Sequence, residues 1–425
     1  MKVNIYKSSH DSLVNPNSSP FEVVERKFRG HPDSLADMVA QTFSKKYIEF
    51  AWKNIPKLNK KYFPNFSADK VTLSGSSSNH VDGSYQIIKP VDALLIGKIT
   101  QSIGNFSINC DLLFKESIEE VFSKALGHDN YKTHVKRQIY SVNLAGSDHS
   151  SSFYNPKSVD ELVKVLEEEK FANDTVYVVA YHPISVTEEL SIHIDNFTYS
   201  SVFQNQFPEI GSDIKVMIRR RGTDFQITLC LPVFPEKVSK IKRYEEIINS
   251  AHVVLYDEVK AFLKSRLDTW NTDILIDLKV NTKDTASKKY FALWGTSLSK
   301  GDVGAVGRGN RQQGFISGLR SSSNEAVSGK NPNYFAGIVC QLVAEDISKT
   351  IYRKVGLKNV VYVTTDNGDK LNEPASIDII VDCKDELKEM KINKIIKNSL
   401  SKIDLLCKEY IKEKPFTRFM RNCNE

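Results

Sequence analysis

The residues best placed to do chemistry lie in one glycine-rich stretch, Gly301 to Pro332, GDVGAVGRGNRQQGFISGLRSSSNEAVSGKNP. It sets the cations Arg308, Arg311, Arg320 and Lys330 against only two carboxylates, Asp302 and Glu325. Glycines such as Gly307 let backbone approach a ligand closely. Backbone amides combined with cations hold anions, so the stretch describes a polyphosphate site. It is not a P-loop, because Asn324 stands where that motif needs its first glycine and Asn331 follows the lysine.

A second group lies near the N-terminus, Gly30-His31-Pro32-Asp33-Ser34. Asp33 or Ser34 would cap a following helix. A cap does not explain a histidine between Gly and Pro, and local sequence leaves a structural and a chemical role for His31 open. Further candidates are Asp174 in Asn173-Asp174-Thr175, and Asp213 and Lys215 in DIKVM, where Lys215 faces away from Ile214 and Val216.

These groups need elements to hold them. Phe21–Lys27 alternates as a strand, and Leu35, Met38, Val39, Thr42, Phe43 and Tyr47 share a helical face, so His31 and Asp33 fall at a strand-to-helix turn. Tyr290–Ser297 reads as a buried strand before the glycine-rich stretch. A helix is expected from Pro332, capped by Asn331 and stopped at Gly356, which places Lys330 at its N-terminus. Strands are also expected at Lys70–Gly75, Gln86–Gly97, Val176–Tyr181, Asp213–Arg219, Phe225–Leu231, Ile274–Val280, Val360–Thr364 and Ile377–Val381. Helices are expected at Ser117–Leu126, Val159–Glu168, Tyr244–Leu267 and Glu386–Ile411. The class is α/β (α+β), with sheets covered by helices. Approximate divisions are a flexible arm (1–20), N-terminal (21–130), central (131–285) and C-terminal (286–411) subdomains, and a disordered tail (412–425).

Composition narrows the field. The 425 residues are 40% apolar and 26% charged, with a net charge of +6. No run is long or apolar enough to cross a membrane, and no apolar signal segment opens the chain. Six scattered cysteines without a C-x-x-C pair fit reduced thiols in the cytoplasm. Nucleic acid is not expected: the basic cluster Arg219-Arg220-Arg221 runs into Gly222-Thr223-Asp224, a solvated hairpin turn.

Taken together, G-H-P-D-S, N-D-T, D-I-K-V-M, G-T-S…G-D-x-G-x-x-G-R-G-N-R and S-G-K-N-P, in that order, resemble archaeal-type S-adenosylmethionine synthetase over Phe21 to Lys412. The resemblance implies three similar subdomains with interleaved segments around a pseudo-threefold axis, and a homodimer with active sites between subunits. It implies that methionine sulfur attacks C5′ of ATP and that the departing triphosphate is hydrolysed to pyrophosphate and phosphate, with Mg²⁺ and K⁺ as cofactors. By position, His31 matches the histidine beside the C5′–O bond, and Asp33 and Asp302 match carboxylates that hold Mg²⁺. Lys215, Arg308 and Lys330 match cations around the triphosphate. Asp174 and Asp213 match residues that hold the methionine amino group or the nucleoside; Gly307, Arg311 and Asn331 belong to the same ATP-binding blocks.

The chain also departs from the family pattern. Gly75–Tyr85 replaces a Gly-, His- and Tyr-containing stretch, and Leu144–Ser147 replaces G-Q-G-S. Paired aspartates become Asp302-Val303, and histidine and lysine positions become Phe335 and Ile338. These mark a divergent member. Two alternatives remain beside methionine adenosylation: adenosyl transfer to another sulfur amino acid, or a non-catalytic nucleotide-binding homologue that pairs with an active subunit.

Overall fold

The computed structural model describes residues 1–81, 84–129, 131–141, 153–168, 170–238, 240–267, 273–383 and 385–413. Three sheets carry the fold, and each draws strands from distant parts of the chain. The first runs Lys2–Lys7, Ser376–Val381, Asn359–Thr365, Val176–His182. The second runs Val135–Ser141, Val91–Ile99, Val71–Ser74, Val303–Ala305, with Phe66–Ser67 also paired to Val91–Ile99. The third runs Leu275–Val280, Asp224–Cys230, Lys215–Arg221, Phe21–Lys27, Ile316–Ser317.

Helices cover each sheet. Pro32–Asn54, Cys110–Leu126 and Val159–Glu167 bury their apolar faces with the second sheet. Ala336–Val355, Glu386–Leu400 and Ile403–Lys412 do so with the first, and Val186–Thr198 and Ile241–Leu267 with the third. The helices-on-sheets architecture matches the expected α+β class. Interleaving is visible in the pairing: Phe21–Lys27 joins the third sheet through Lys215–Arg221, and Val176–His182 joins the first through Asn359–Thr365.

Several sequence expectations are corrected. Residues 1–20 are not a loose arm. Lys2–Lys7 pairs in parallel with Ser376–Val381, because Val3 and Ile5 alternate and pack on the core of the first sheet. Tyr290–Ser297 is not a strand. Leu293–Gly295 and Ser297–Lys300 are short 3₁₀ turns, and Phe291 makes only an isolated bridge to Val233.

The helix expected from Pro332 begins at Ala336. Asn331 spends its side-chain oxygen on the N–H of Asn333, and the N–H of Ala336 is capped by Asn173, from the bend that leads into strand Val176–His182. The helix expected over Glu386–Ile411 breaks at Ser401–Lys402, and Pro90 splits the strand expected over Gln86–Gly97. Helix Val186–Thr198 was not expected. The tail from 414 onward and Leu144–Ser147 lie outside the described residues.

Candidate active site

The site is built where strand Phe21–Lys27 turns into helix Pro32–Asn54. His31, not Asp33 or Ser34, is the N-cap, and its Nδ1 accepts the N–H of Asp33 at 3.2 Å. The imidazole proton of the neutral ring therefore sits on Nε2. Burial lowers the pKa of His31, opposed by the charges of Asp213, Asp33 and Asp302, so the neutral ring is the state at neutral pH.

Asp33 stands in the first turn, where a carboxylate is favoured by the helix dipole. Its Oδ1 accepts the N–H of Ala305 at 3.0 Å, and its Oδ2 meets Nζ of Lys27 at 2.9 Å. Lys27 also donates to the carbonyl of Arg308 at 2.5 Å. Gly304 packs so closely on Pro32 that a Cβ would come within 2.0 Å of its carbonyl oxygen.

Asp213 is only 3% exposed. Its Oδ2 accepts the N–H of Ser297 at 2.7 Å and the Ser297 hydroxyl, and burial raises its pKa against those bonds. The same hydroxyl lies 3.1 Å from Oδ2 of Asp302, an exposed carboxylate whose Oδ1 takes its neighbour Val303 N–H. One serine thus links two carboxylates of the candidate site. His31, Asp33, Asp213 and Asp302 are brought together, through Ser297 and the charges that His31 feels.

The cations fall into two sets. Lys215 is the cross-strand neighbour of Lys27 and pairs with Glu25 at 3.1 Å while its side chain stays 41% exposed. Arg308 is exposed, and Arg311 folds back to donate to the Gly307 carbonyl at 3.0 Å. Lys330 is separate. It is 8% exposed and forms an ion pair with Glu325 beside Gly337, in the first turn of helix Ala336–Val355. Asn331 is fully buried, bonded to Asn65 and the Asn333 N–H, and so holds backbone. Asp174 is exposed in the bend before strand Val176–His182 of the first sheet and accepts its neighbour Thr175 N–H. No hydrogen bond or ion pair among the described residues ties Asp174 or Lys330 to the His31 group.

Two arginines that the sequence places in exposed segments are unavailable for a ligand. Arg320 makes two hydrogen bonds of 2.9 Å with Glu188, and that pair is buried. Arg220, placed by sequence in a solvated turn, is buried against Glu22, although the turn at Gly222 (φ 55°) is there. Sequence reading gave no role to Lys27, Asp37, Ser297 or Glu325. The only signal for Asp37 was its place one helical turn after Asp33, and Ser297 was visible only as the last residue of G-T-S.

Mg²⁺ takes oxygen ligands and commonly uses one or two protein carboxylates, with phosphate and water completing the shell. Asp302 fits that pattern, being exposed with lone pairs to spare. Asp33 fits only by exchanging Lys27 for metal, since both its oxygens are engaged. Among the described residues no group of three or more His, Cys, Asp or Glu converges as a ready metal cage.

The altered positions also fall into place. Ile338 is fully buried on the apolar face of helix Ala336–Val355, and Phe335, the residue before that helix, packs on the same core. Val303 is 51% exposed. Gly75 lies against Gly301 and Asp302, where a Cβ would come within 2.2 Å of the Asp302 carbonyl oxygen. Ser78, in the adjoining strand Ser77–Val81, donates to the Ser299 carbonyl at 2.9 Å. The replaced stretch Gly75–Tyr85 therefore begins against the backbone of Asp302; its side chains from 80 to 85 lie outside the description.

A family model for S-adenosylmethionine synthetase (AdoMet synthetase) matches residues 3–414. The S-adenosylmethionine synthase of Methanocaldococcus jannaschii is 30% identical over 370 residues, 85% of each chain. That of Pyrococcus furiosus is 30% identical over 347 residues, 78% of each. An uncharacterised protein of Streptococcus pyogenes is 26% identical over 372 residues, 86% of this chain and 87% of that one. A solved structure described as an unusual S-adenosylmethionine synthetase from Campylobacter jejuni superposes with a TM-score of 0.57 over 92% of this chain and 93% of its own, at 13% identity, a likeness of fold.

Proposed function

The chain belongs to the S-adenosylmethionine synthetase family, and on that premise we propose that it makes S-adenosylmethionine from ATP and L-methionine. A lone pair of the methionine sulfur forms the bond to ribose C5′ as the C5′–O bond breaks. The product is a sulfonium, and the triphosphate leaves with the electron pair. Water then splits the triphosphate into pyrophosphate and phosphate. A thioether attacks without losing a proton, so the site needs no general base. It needs fixed positive charge where the leaving group gathers negative charge.

The observation that carries this reading is the orientation of His31. Its Nδ1 is held by the Asp33 N–H, which leaves Nε2–H to donate to the departing oxygen. Lys27, Lys215 and Arg308 surround the same turn and would meet the phosphates. Mg²⁺, held by Asp302 and by Asp33 once Lys27 turns to phosphate, would supply further charge neutralisation. K⁺ is expected from the family, without assigned ligands. Asp174 precedes a strand of the first sheet, whereas the His31 group follows a strand of the third, and Lys330 is paired apart from it. A homodimer whose sites are shared between copies would let both sets reach one substrate.

Incubation with ATP, Mg²⁺, K⁺ and methionine, read by mass spectrometry, should yield S-adenosylmethionine, pyrophosphate and phosphate in equal amounts. No adenosylated product would sink the reading. A second reading, a different sulfur amino acid as acceptor, is favoured by the replaced stretch that abuts Asp302. Competition among methionine, ethionine and selenomethionine decides it. Ile338 and Phe335 do not argue for that reading, because they belong to the core.

A further inference from the structure

Helix Pro32–Asn54 presents two carboxylates, Asp33 and Asp37, one turn apart on the face that meets the glycine-rich segment. Residues Val303–Ala305 pair with Val71–Ser74 on their other side, and the N–H of Val306 continues that ladder to the carbonyl of Val71 at 3.1 Å. In an extended strand successive N–H groups point to opposite sides. The N–H groups of Ala305 and Gly307 therefore face the helix, where no strand can receive them. Asp33 Oδ1 takes the first at 3.0 Å and Asp37 Oδ1 takes the second at 2.9 Å. The two carboxylates stand in for the missing strand.

The chain turns directly after this pair of bonds. Gly307 has φ 80°, a conformation that favours glycine, and the N–H of Arg308 closes on the Ala305 carbonyl at 3.1 Å. The Gly307 carbonyl is held by Arg311, so both backbone polar groups of Gly307 are fixed by side chains. Gly309 packs against the other oxygen of Asp37, where a Cβ would come within 2.3 Å. Asp37 is buried, 4% exposed, with both carboxylate oxygens against the glycine-rich segment.

We propose that Asp37 is a positioning residue for polyphosphate binding. Its carboxylate oxygen clamps the Gly307 N–H, and this fixes the turn that presents Arg308 to the phosphates. The proposal rests on the polyphosphate reading of the site above, and the test keeps the two apart by measuring binding of inorganic tripolyphosphate with Mg²⁺, without methionine or turnover.

Three variants of the full chain decide the matter. Asp37→Ala removes the acceptor and should weaken tripolyphosphate binding by about tenfold or more, the equivalent of about 1.4 kcal/mol. Asp37→Asn keeps an acceptor oxygen and should restore binding to within about threefold of the parent, since a neutral hydrogen bond of similar geometry remains. Gly309→Ala disturbs the clamp from its other side while leaving the carboxylate in place; it should reproduce the loss, and it keeps the test decisive if Asp37→Ala fails to fold. Amide exchange in the segment 301–315 should quicken in Asp37→Ala and Gly309→Ala but not in Asp37→Asn. A folded Asp37→Ala with parental tripolyphosphate affinity and exchange would overturn the clamp. A parent protein that binds no tripolyphosphate would overturn the polyphosphate reading itself.

Discussion

Nδ1 of His31 accepts the backbone N–H of Asp33 at 3.2 Å, which makes one ring nitrogen a helix cap and leaves the other as the donor. Replacing His31 with Asn tests the two halves separately. Asn is a good N-cap, so the melting point should hardly move. Adenosyl transfer should slow by about 100-fold, within the range for a positioned proton donor. Hydrolysis of added triphosphate should slow much less, because that bond lies further along the phosphates. Equal losses in the two steps would mean that His31 is only a cap.

Asp302, the carboxylate proposed to hold metal, is exposed and, among the described residues, tied only to Ser297 and its own neighbour. Asp302→Asn should leave the fold intact and raise the Mg²⁺ concentration needed for half-maximal ATP binding. Calorimetric titration of ATP at several Mg²⁺ concentrations reads this directly. An unchanged Mg²⁺ requirement would remove Asp302 from the metal site.

Glu325 neutralises Lys330 beside the first turn of helix Ala336–Val355, the place where an anion is favoured. Glu325→Gln should therefore tighten tripolyphosphate binding. Lys330→Ala should lower turnover by about two orders of magnitude, the cost of losing one preorganised charge partner. Tripolyphosphate affinity left unchanged by the first variant, together with turnover within about threefold of the parent in the second, would show that Lys330 serves only the ion pair.

Burial pushes the Asp37 carboxyl up to about 7 from its ordinary 3.8. The folded chain therefore holds a proton there that the unfolded chain releases. The stability this provides is whole below the ordinary value and is lost as pH rises through about 7. Asp37→Asn removes that dependence. Relative to the parent, the variant should gain stability between pH 5 and pH 8, by at most about 1.4 kcal/mol for each pH unit over which only the folded form is protonated. Urea melts at the two pH values measure it, and parallel behaviour of the two proteins would refute it.

Sequence alone determined what depends on local period and on motif. Strands Phe21–Lys27 and Val176–His182 and the helix after Pro32 were legible because alternation and helical spacing are properties of neighbours along the chain. The cluster of His31, Asp33, Asp213 and Asp302 was foreseeable only as a list of residues in motifs.

Tertiary structure decided which of those groups are free. Arg320 and Arg220 looked like exposed cations and are buried against Glu188 and Glu22, partners far away in sequence. The helix after Lys330 starts at Ala336, where Asn173, a residue 163 positions earlier in the chain, caps it, a bond that no local pattern encodes. Asp37 belongs to none of the motifs singled out in the sequence. It takes the Gly307 N–H because the glycine-rich segment runs with helix Pro32–Asn54 on one side and strand Val71–Ser74 on the other. Hydrogen-bond satisfaction of buried groups is settled by whichever partners the folded chain brings within about 3 Å, and spacing along the sequence does not carry that information.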